Sequence, residues 1–337
     1  MDTVTGYSMA RFIASNGGIG VVHRYCAIDT QVEIVKTLAD EGFYVGAAVG
    51  VNGDSWERAL SLIEAGASLI TIDVAHGHTE AALDRTDKLV GLGHDVIVMS
   101  GNICTYEAAC DYIEAGAHVL RVGIGGGSAC TTRKVAGVGV PQITAIMDAA
   151  RARDHLDSQV VIVADGGIRT SGDAVKAIAA GADAVMLGGV LAPYPVSAGP
   201  VMLVNTGEKS NLNSVVRSMV APVKGTDTGE LLQKGVTEID FGERIVKKKV
   251  FRGMASDSAL KDKGEVDYAV EGEEFLLDID YDFEKTFADF VKGIRLGLAY
   301  MGCGSIDDVH EMDRLIEVTY NGAVEALPHM VFRGDKA

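Results

Sequence analysis

Apolar residues along this chain fall into short runs, and between the runs lie stretches where apolar positions recur three and four residues apart. The short runs, bounded by Gly, Asp or Ser, predict buried strands at residues 19–23, 44–49, 68–73, 95–100, 118–122, 159–164 and 182–187. The stretches between them predict amphipathic helices at 29–41, 55–66, 79–92, 105–116, 141–152 and 171–181. Glu-Ala-Gly-Ala at 64–67 and again at 114–117, and Ala-Ala-Gly-Ala at 179–182, end three of those helices with a glycine just before the next strand. Regular strand-helix alternation is the signature of a parallel sheet closed into a (β/α) barrel. The first ten residues predict the end of a strand running into a helix that continues to Ser15, and residues 282–301 predict a final amphipathic helix.

The regularity breaks at residues 192–249, where Pro193, Pro195, Pro200 and Pro222 interrupt mixed charges. This stretch reads as a long insertion or loop within a single barrel domain spanning 1–337, with Lys247, Lys248 and Lys249 as a solvated charge run. The 337 residues, 47% of them hydrophobic, suffice for a large core. Apolar runs stay short of the ~20 residues a membrane span needs, and no basic-then-apolar leader opens the chain, so a cytoplasmic protein with no membrane partner is expected. A net charge of −17 argues against a nucleic-acid partner, so anionic ligands must be held by local geometry. The five cysteines lack Cys-x-x-Cys spacing, which excludes a zinc site or disulfide framework as the simple reading.

Candidate chemistry collects where a barrel keeps its active site, at the C-terminal ends of the strands. Asp73, Val74 and Ala75 follow one predicted strand, ahead of His76 and His78, and Asn102 follows the next. Asp165-Gly166-Gly167 and Gly188-Gly189 follow the last two, where backbone amides can cradle a phosphate without a basic patch. The stretch Gly-Ile-Gly-Gly-Gly-Ser-Ala-Cys-Thr-Thr-Arg at 123–133 joins a strand to a helix. Its glycines let backbone approach a ligand closely, and Cys130 places one thiol within that cradle. A flexible turn with an incidental cysteine is the alternative for so short a motif.

Extended from Arg121 to Gln142, the segment closely resembles the catalytic loop of the IMP dehydrogenase/GMP reductase family, with Gly125-Gly126-Gly127 where the family has Gly-Pro-Gly. The resemblance covers nearly the whole chain except the 192–249 stretch. It implies a (β/α)8 TIM barrel, here lacking its N-terminal arm and first strand, with seven strands and an open edge. No CBS pair interrupts the sequence after His23-Arg24-Tyr25, where many IMP dehydrogenases carry one. Family chemistry has a cysteine thiolate, here Cys130, adding to C2 of a purine nucleotide while hydride passes to or from a nicotinamide. The dehydrogenase then hydrolyses the adduct, whereas the reductase forms it by expelling ammonia from GMP.

By the same resemblance Ser128, Asp165, Gly166, Gly167, Gly188, Gly189, Gly253 and Met254 would hold the nucleotide. Asp73, Val74, Ala75 and Asn102 would line the nicotinamide side, and carbonyls of Gly125, Gly127 and Cys130 would hold a potassium ion. Dehydrogenases carry an Arg-Tyr pair in a long flap. Here the matching region, 264–272, has Asp267 before Tyr268 and no arginine. Glu271-Gly272 and Asp73-Val74-Ala75 look like the reductase forms, while His76-Gly-His78, residues 165–173 and Gly139-Val-Pro-Gln142 look like dehydrogenase forms. The expectation is therefore a GMP reductase-like enzyme using NADPH, with Thr132 and Glu271 acting on the ammonia. An NAD-dependent IMP dehydrogenase is the alternative, and a non-catalytic nucleotide-binding barrel a second one. A homotetramer is the family expectation.

Overall fold

The computed structural model describes residues 1–93, 95–205, 245–263, 269–312 and 315–326. Seven parallel strands, β1 (Gly20–Val22), β2 (Val45–Val49), β3 (Leu69–Ile72), β4 (Ile97–Ile103), β5 (Val119–Val122), β6 (Val161–Asp165) and β7 (Ala184–Met186), pair strictly in chain order. Every residue of β2 and β3 is buried, as expected of strands covered on both faces. The helices between them are α1 (Tyr7–Ser15), α2 (Ile28–Asp40), α3 (Ser55–Glu64), α4 (Glu80–Val90), α5 (Tyr106–Glu114), the short α6 (Thr132–Val135), α7 (Gln142–His155) and α8 (Ser171–Ala179). Threonine side chains cap α4, α5 and α8 through Thr79, Thr105 and Thr170, the last in a full capping box with Asp173. Gly66, Gly116 and Gly181 follow three helix ends with φ of +94°, +77° and +112°, the left-handed turn that the repeated tetrapeptides predict.

The sheet curls into a TIM-barrel-like half-barrel, and among the described residues β1 and β7 each pair with one neighbour only. Its lumen is layered. Leu69, Met99 and Val119 form a buried apolar layer, closed by Val21, Val163 and Met186. Two residues further along the strands, toward their C-terminal ends, the lumen turns polar with Thr71, Arg121 and Asp165. Outside the sheet, helix faces pack on Ile70, Ile72, Val98, Leu120, Val122 and Ile162, all fully buried.

Four expectations need correction. Residues 1–6 form turns rather than the end of a strand. β4 runs on through Asn102, so that residue lies on the strand, beside a register shift between Gly101 and Ile103. The described ends of the 192–249 stretch are only partly irregular: residues 192–200 are turns and bends, but β8 (Val201–Asn205) pairs with β9 (Ile245–Arg252), and β10 (Glu274–Asp278), beyond the stretch, completes an antiparallel sheet with β9 in the middle. Residues 206–244 lie outside the described set. Finally, Lys249 is no solvated charge, since its Nζ is buried and donates to the carbonyls of Ser197 and Gly199 at 2.7 and 2.8 Å.

The long helix Phe283–Met301 is present as predicted and lies on α8. Gly293 and Gly297 allow the contact, because a Cβ at either would stand 2.3 Å from Ser171 Oγ or 2.6 Å from a Val175 methyl. A second core, built on Met9, Leu191, Tyr194 and Phe251, joins α1, β9 and the start of this helix through Phe12, Phe283 and Phe287.

Candidate active site

The loop after β5 brings the thiol against a second chain segment. Thr131 N–H donates to the Glu271 carbonyl at 2.8 Å, and Glu273 N–H donates to the Ala129 carbonyl at 2.9 Å. Cys130 and Gly272 face each other as an isolated antiparallel bridge. Gly253 closes the third side: its amide donates to the Glu273 carbonyl, and a Cβ there would stand 2.6 Å from the Ala129 carbonyl oxygen. Residues 129–131, 253–256 and 271–273 are thus stitched into one unit, which holds Glu271 beside a cysteine 141 positions earlier in sequence (271 − 130).

Within that unit Cys130 Sγ lies 3.1 Å from Thr132 Oγ1, and Thr132 Oγ1 donates to Glu271 Oε2 at 2.8 Å. A hydroxyl carries one hydrogen. With that hydrogen given to Glu271, the thiol is the donor in the first contact, so the chain Cys130, Thr132, Glu271 is directional. Protons can move along it from the reacting centre to a carboxylate. The three residues proposed as catalytic from sequence are therefore brought together.

The glycine pairs converge as expected of a cradle. Gly166 and Gly167, both with positive φ, follow Asp165 and face the thiol loop, and a Cβ on Gly166 would stand 3.0 Å from Gly127 N. Gly189 lies under Ser128, whose Oγ a Cβ would meet at 2.9 Å, and faces the Phe251 ring. Gly188 precedes it after β7. Met254 sits on the adjoining turn, and its Sδ receives the Asp2 amide at 3.4 Å. Of the carbonyls that the family resemblance leads one to expect around potassium, that of Gly127 accepts the Cys130 amide at 3.1 Å, which leaves one lone pair. Side-chain groups of three His, Cys, Asp or Glu able to hold a metal are absent among the described residues.

A partly buried charge network spans the lumen beneath this loop. Arg121 donates through Nη1 to Asp73 Oδ1 at 2.7 Å and through Nε to Asp165 Oδ2 at 2.8 Å. Asn102 Nδ2 adds bonds to Asp165 Oδ2 and to the Gly123 carbonyl at 2.8 and 2.7 Å. Arg24 Nε lies 3.5 Å from the other Asp73 oxygen. Burial works to raise the Asp73 carboxyl, but Arg121 and then Arg24 overcome it and hold the group at about 2. The same burial works to lower the Arg121 guanidinium, and Asp165 and Asp73 more than reverse it.

Asn102 also fixes the loop after β3. Its amide donates to the Val74 carbonyl and its own carbonyl accepts the Gly77 amide, leaving Ala75 exposed between them. Sequence reasoning missed Arg121, whose signal was one cation inside the otherwise apolar run 118–122, and Gln142, which ties the loop's far end to β5. The flap residues 264–268, including Asp267 and Tyr268, lie outside the described set.

A parallel half-barrel with thiol, carboxylates and glycine cradle gathered at one end of its strands defines the chain as a (β/α)-barrel protein of the enzyme type, its candidate chemistry on the loops beyond the strand ends. Comparison with known proteins narrows this. The family model for the IMP dehydrogenase / GMP reductase domain matches residues 1–239. The inosine-5'-monophosphate dehydrogenase of Halalkalibacterium halodurans is 40% identical over 316 residues, covering 90% of this chain and 56% of that protein. Those of Streptococcus pyogenes and Bacillus subtilis are 38% and 39% identical, covering 90% and 85% of this chain and 56% and 52% of the relatives. The chain belongs to the IMP dehydrogenase/GMP reductase family. It spans about half the length of the curated relatives it matches.

Proposed function

We propose that this chain oxidises IMP to XMP with NAD, through a covalent adduct between Cys130 Sγ and C2 of the purine. The observation that carries the reading is the directional chain from Cys130 through Thr132 to Glu271, set in a chain whose relatives bear the dehydrogenase name. This moves the weight from the reductase expected on the flap residues to the alternative.

Attack by the thiolate on C2 forms the S–C bond and makes the C2 hydrogen a hydride donor. When bound, NAD would supply the hydride acceptor, and Asp73 and Asn102 would hold it, offering a carboxylate for a ribose and an amide for a carboxamide. Water then attacks C2 and the C–S bond breaks, restoring the thiolate. Thr132 takes the proton of that water and hands its own to Glu271, which serves where the family's arginine is missing from the flap. Asp165 holds the ribose hydroxyls, positioned by Arg121 and Asn102. Ser128, Gly166, Gly167, Gly188, Gly189, Gly253 and Met254 hold the phosphate and base. Potassium on the Gly125, Gly127 and Cys130 carbonyls, a homotetramer and a cytoplasmic location belong to the same reading.

GMP reduction with NADPH is the second reading. It is favoured by Glu271, which through Thr132 could equally protonate a departing ammonia, and by Asp73-Val74-Ala75. Absorbance at 340 nm in potassium buffer separates the two. A rise with IMP and NAD supports the dehydrogenase, and a fall with GMP and NADPH replaces it with the reductase. Silence in both, with either nucleotide bound, leaves a non-catalytic barrel.

A further inference from the structure

The loop that carries Cys130 leaves the sheet at Val122, the last residue of β5, and returns at Gln142, the first residue of α7. One side chain ties those ends together. Gln142 Nε2 donates to the Val122 carbonyl at 2.7 Å. The other half of that amide is unspent, because Gln142 Oε1 is buried and has no hydrogen-bond partner among the described residues. Buried polar atoms are nearly always paired, so an unpaired acceptor needs an explanation.

The surroundings supply one. A Cβ built on Gly123 would stand 2.6 Å from Oε1, and one on Gly126 3.3 Å, so the acceptor lies against the backbone of the glycine-rich segment. The same segment meets the nucleotide turn: the Cβ built on Gly126 would also lie 3.7 Å from Gly166 C, a Cβ on Gly166 would meet Gly127 N at 3.0 Å, and one on Gly167 would meet the Gly126 carbonyl oxygen at 3.5 Å. Gln142 Oε1, the loop backbone at Gly126 and the turn assigned to the ligand therefore converge at one junction. The helix itself does not need the amide, since the first turn of α7 follows Pro141 with no side-chain cap.

We propose that Gln142 is a positioning residue for the thiol loop: Nε2 pins the loop's two ends, and Oε1 accepts a backbone N–H of residues 124–127 when the loop closes on bound nucleotide. The proposal rests on Cys130 being the group that meets the nucleotide. A ligand on Gly166 and Gly167 contacts the loop at that junction, and a bond from a loop N–H to Oε1 then favours the closed loop over the open one. The thiol is fixed relative to C2 by the same movement. Misplacing a reacting atom by about 1 Å can cost on the order of a hundredfold in rate.

Two variants test this in the full chain. Gln142→Met removes both functions at similar volume, and Gln142→Lys keeps a donor for the Val122 carbonyl but has no acceptor. Turnover is read at 340 nm with IMP and NAD. Alkylation of Cys130 by iodoacetamide is read by peptide mass spectrometry with and without IMP. Both variants are expected to lower kcat by about ten- to a hundredfold, with KM for IMP within about threefold and the thermal midpoint of Gln142→Lys unchanged. IMP is expected to slow Cys130 alkylation by more than about tenfold in the wild type and by less than about threefold in the variants.

A Gln142→Met protein with kcat within twofold of the wild type, or full rescue by Gln142→Lys, overturns the proposal. If Gln142→Met does not fold, Gln142→Lys decides. If the wild type is silent with IMP and NAD but still protected by IMP, the proposed activity fails while the protection ratio still decides on Gln142. Wild-type protein neither active nor protected sinks both.

Discussion

Replacing Arg121 by methionine tests the charge network directly. The guanidinium lies between Asp73 and Asp165 with side-chain exposures of 16%, 23% and 19%, so little water would replace it. Removing one partner of a buried ion pair typically costs about 3–5 kcal/mol, because the remaining charges are left without compensation. A second route gives a similar scale. Holding Asp73 at about 2 against an ordinary 3.8 corresponds to about 2 kcal/mol for one carboxylate, with Arg24 supplying part of it, and the ion pair to Asp165 adds to that. We expect a loss of about 3 kcal/mol at pH 7.

The pH dependence carries a sign. In the wild type the depressed Asp73 carboxyl contributes stability that is present above 3.8 and lost as pH falls through about 2. In Arg121→Met burial acts with less opposition and the carboxyl moves upward, so the folded variant takes up a proton sooner than the unfolded chain does. Its deficit against the wild type must therefore shrink as pH falls from 7 toward 4. Urea unfolding followed by the fluorescence of Trp56, the single tryptophan, measures both. A loss below about 1 kcal/mol at pH 7, or a deficit that stays constant to pH 4, refutes the account.

Burial brings the His23 imidazole down to about 4, so its neutral form contributes stability that is complete above 6.5 and lost as pH falls to about 4. Wild-type stability should decline across that window, and His23→Gln should flatten the decline in urea titrations. Glu271→Gln and Thr132→Val each break the proton chain and should lower kcat by about 10²-fold or more at an unchanged thermal midpoint; retention of half the activity would remove them from the mechanism. Gly293→Ala pushes a methyl into Ser171 on α8 and should cost about 1–3 kcal/mol in thermal unfolding, whereas a neutral effect would mean that the helix pair is loosely seated.

The seven strands and the helices between them were legible because each carries a local signal: an apolar run, a threonine cap, a glycine after the helix end. Cys130, Thr132 and Glu271 were legible only through their resemblance to a family, since nothing local joins residue 132 to residue 271. The antiparallel sheet of β8, β9 and β10 was hidden because its first two strands lie far apart in sequence and the prolines around 193–200 read as loop. Lys249 read as solvated because its neighbours Lys247 and Lys248 suggested a charged face; alternation along β9 instead turns it toward the Ser197 and Gly199 carbonyls.

Arg121 shows why the polar layer escaped the sequence. Leu120 and Val122, on either side of it, are fully buried against the helices, so Arg121 must point the other way, into the lumen. Val119, two residues earlier, points there too and joins the apolar layer of Leu69 and Met99. Parallel register places Arg121 opposite Gly101 on one side and Val163 on the other, one layer nearer the strand ends than Val119. On β3 the same step of two leads from Leu69 through Thr71 to Asp73, and on β6 from Val163 to Asp165. Two carboxylates and one guanidinium meet because three strands share a register and each changes from apolar to charged near its C-terminal end. No strand alone reveals that coincidence, for a single arginine in an apolar run fits an edge or a partly exposed strand equally well. Once the register is known, the pairing follows from alternation, and the charge placed under Gly123 becomes the floor on which the thiol loop stands.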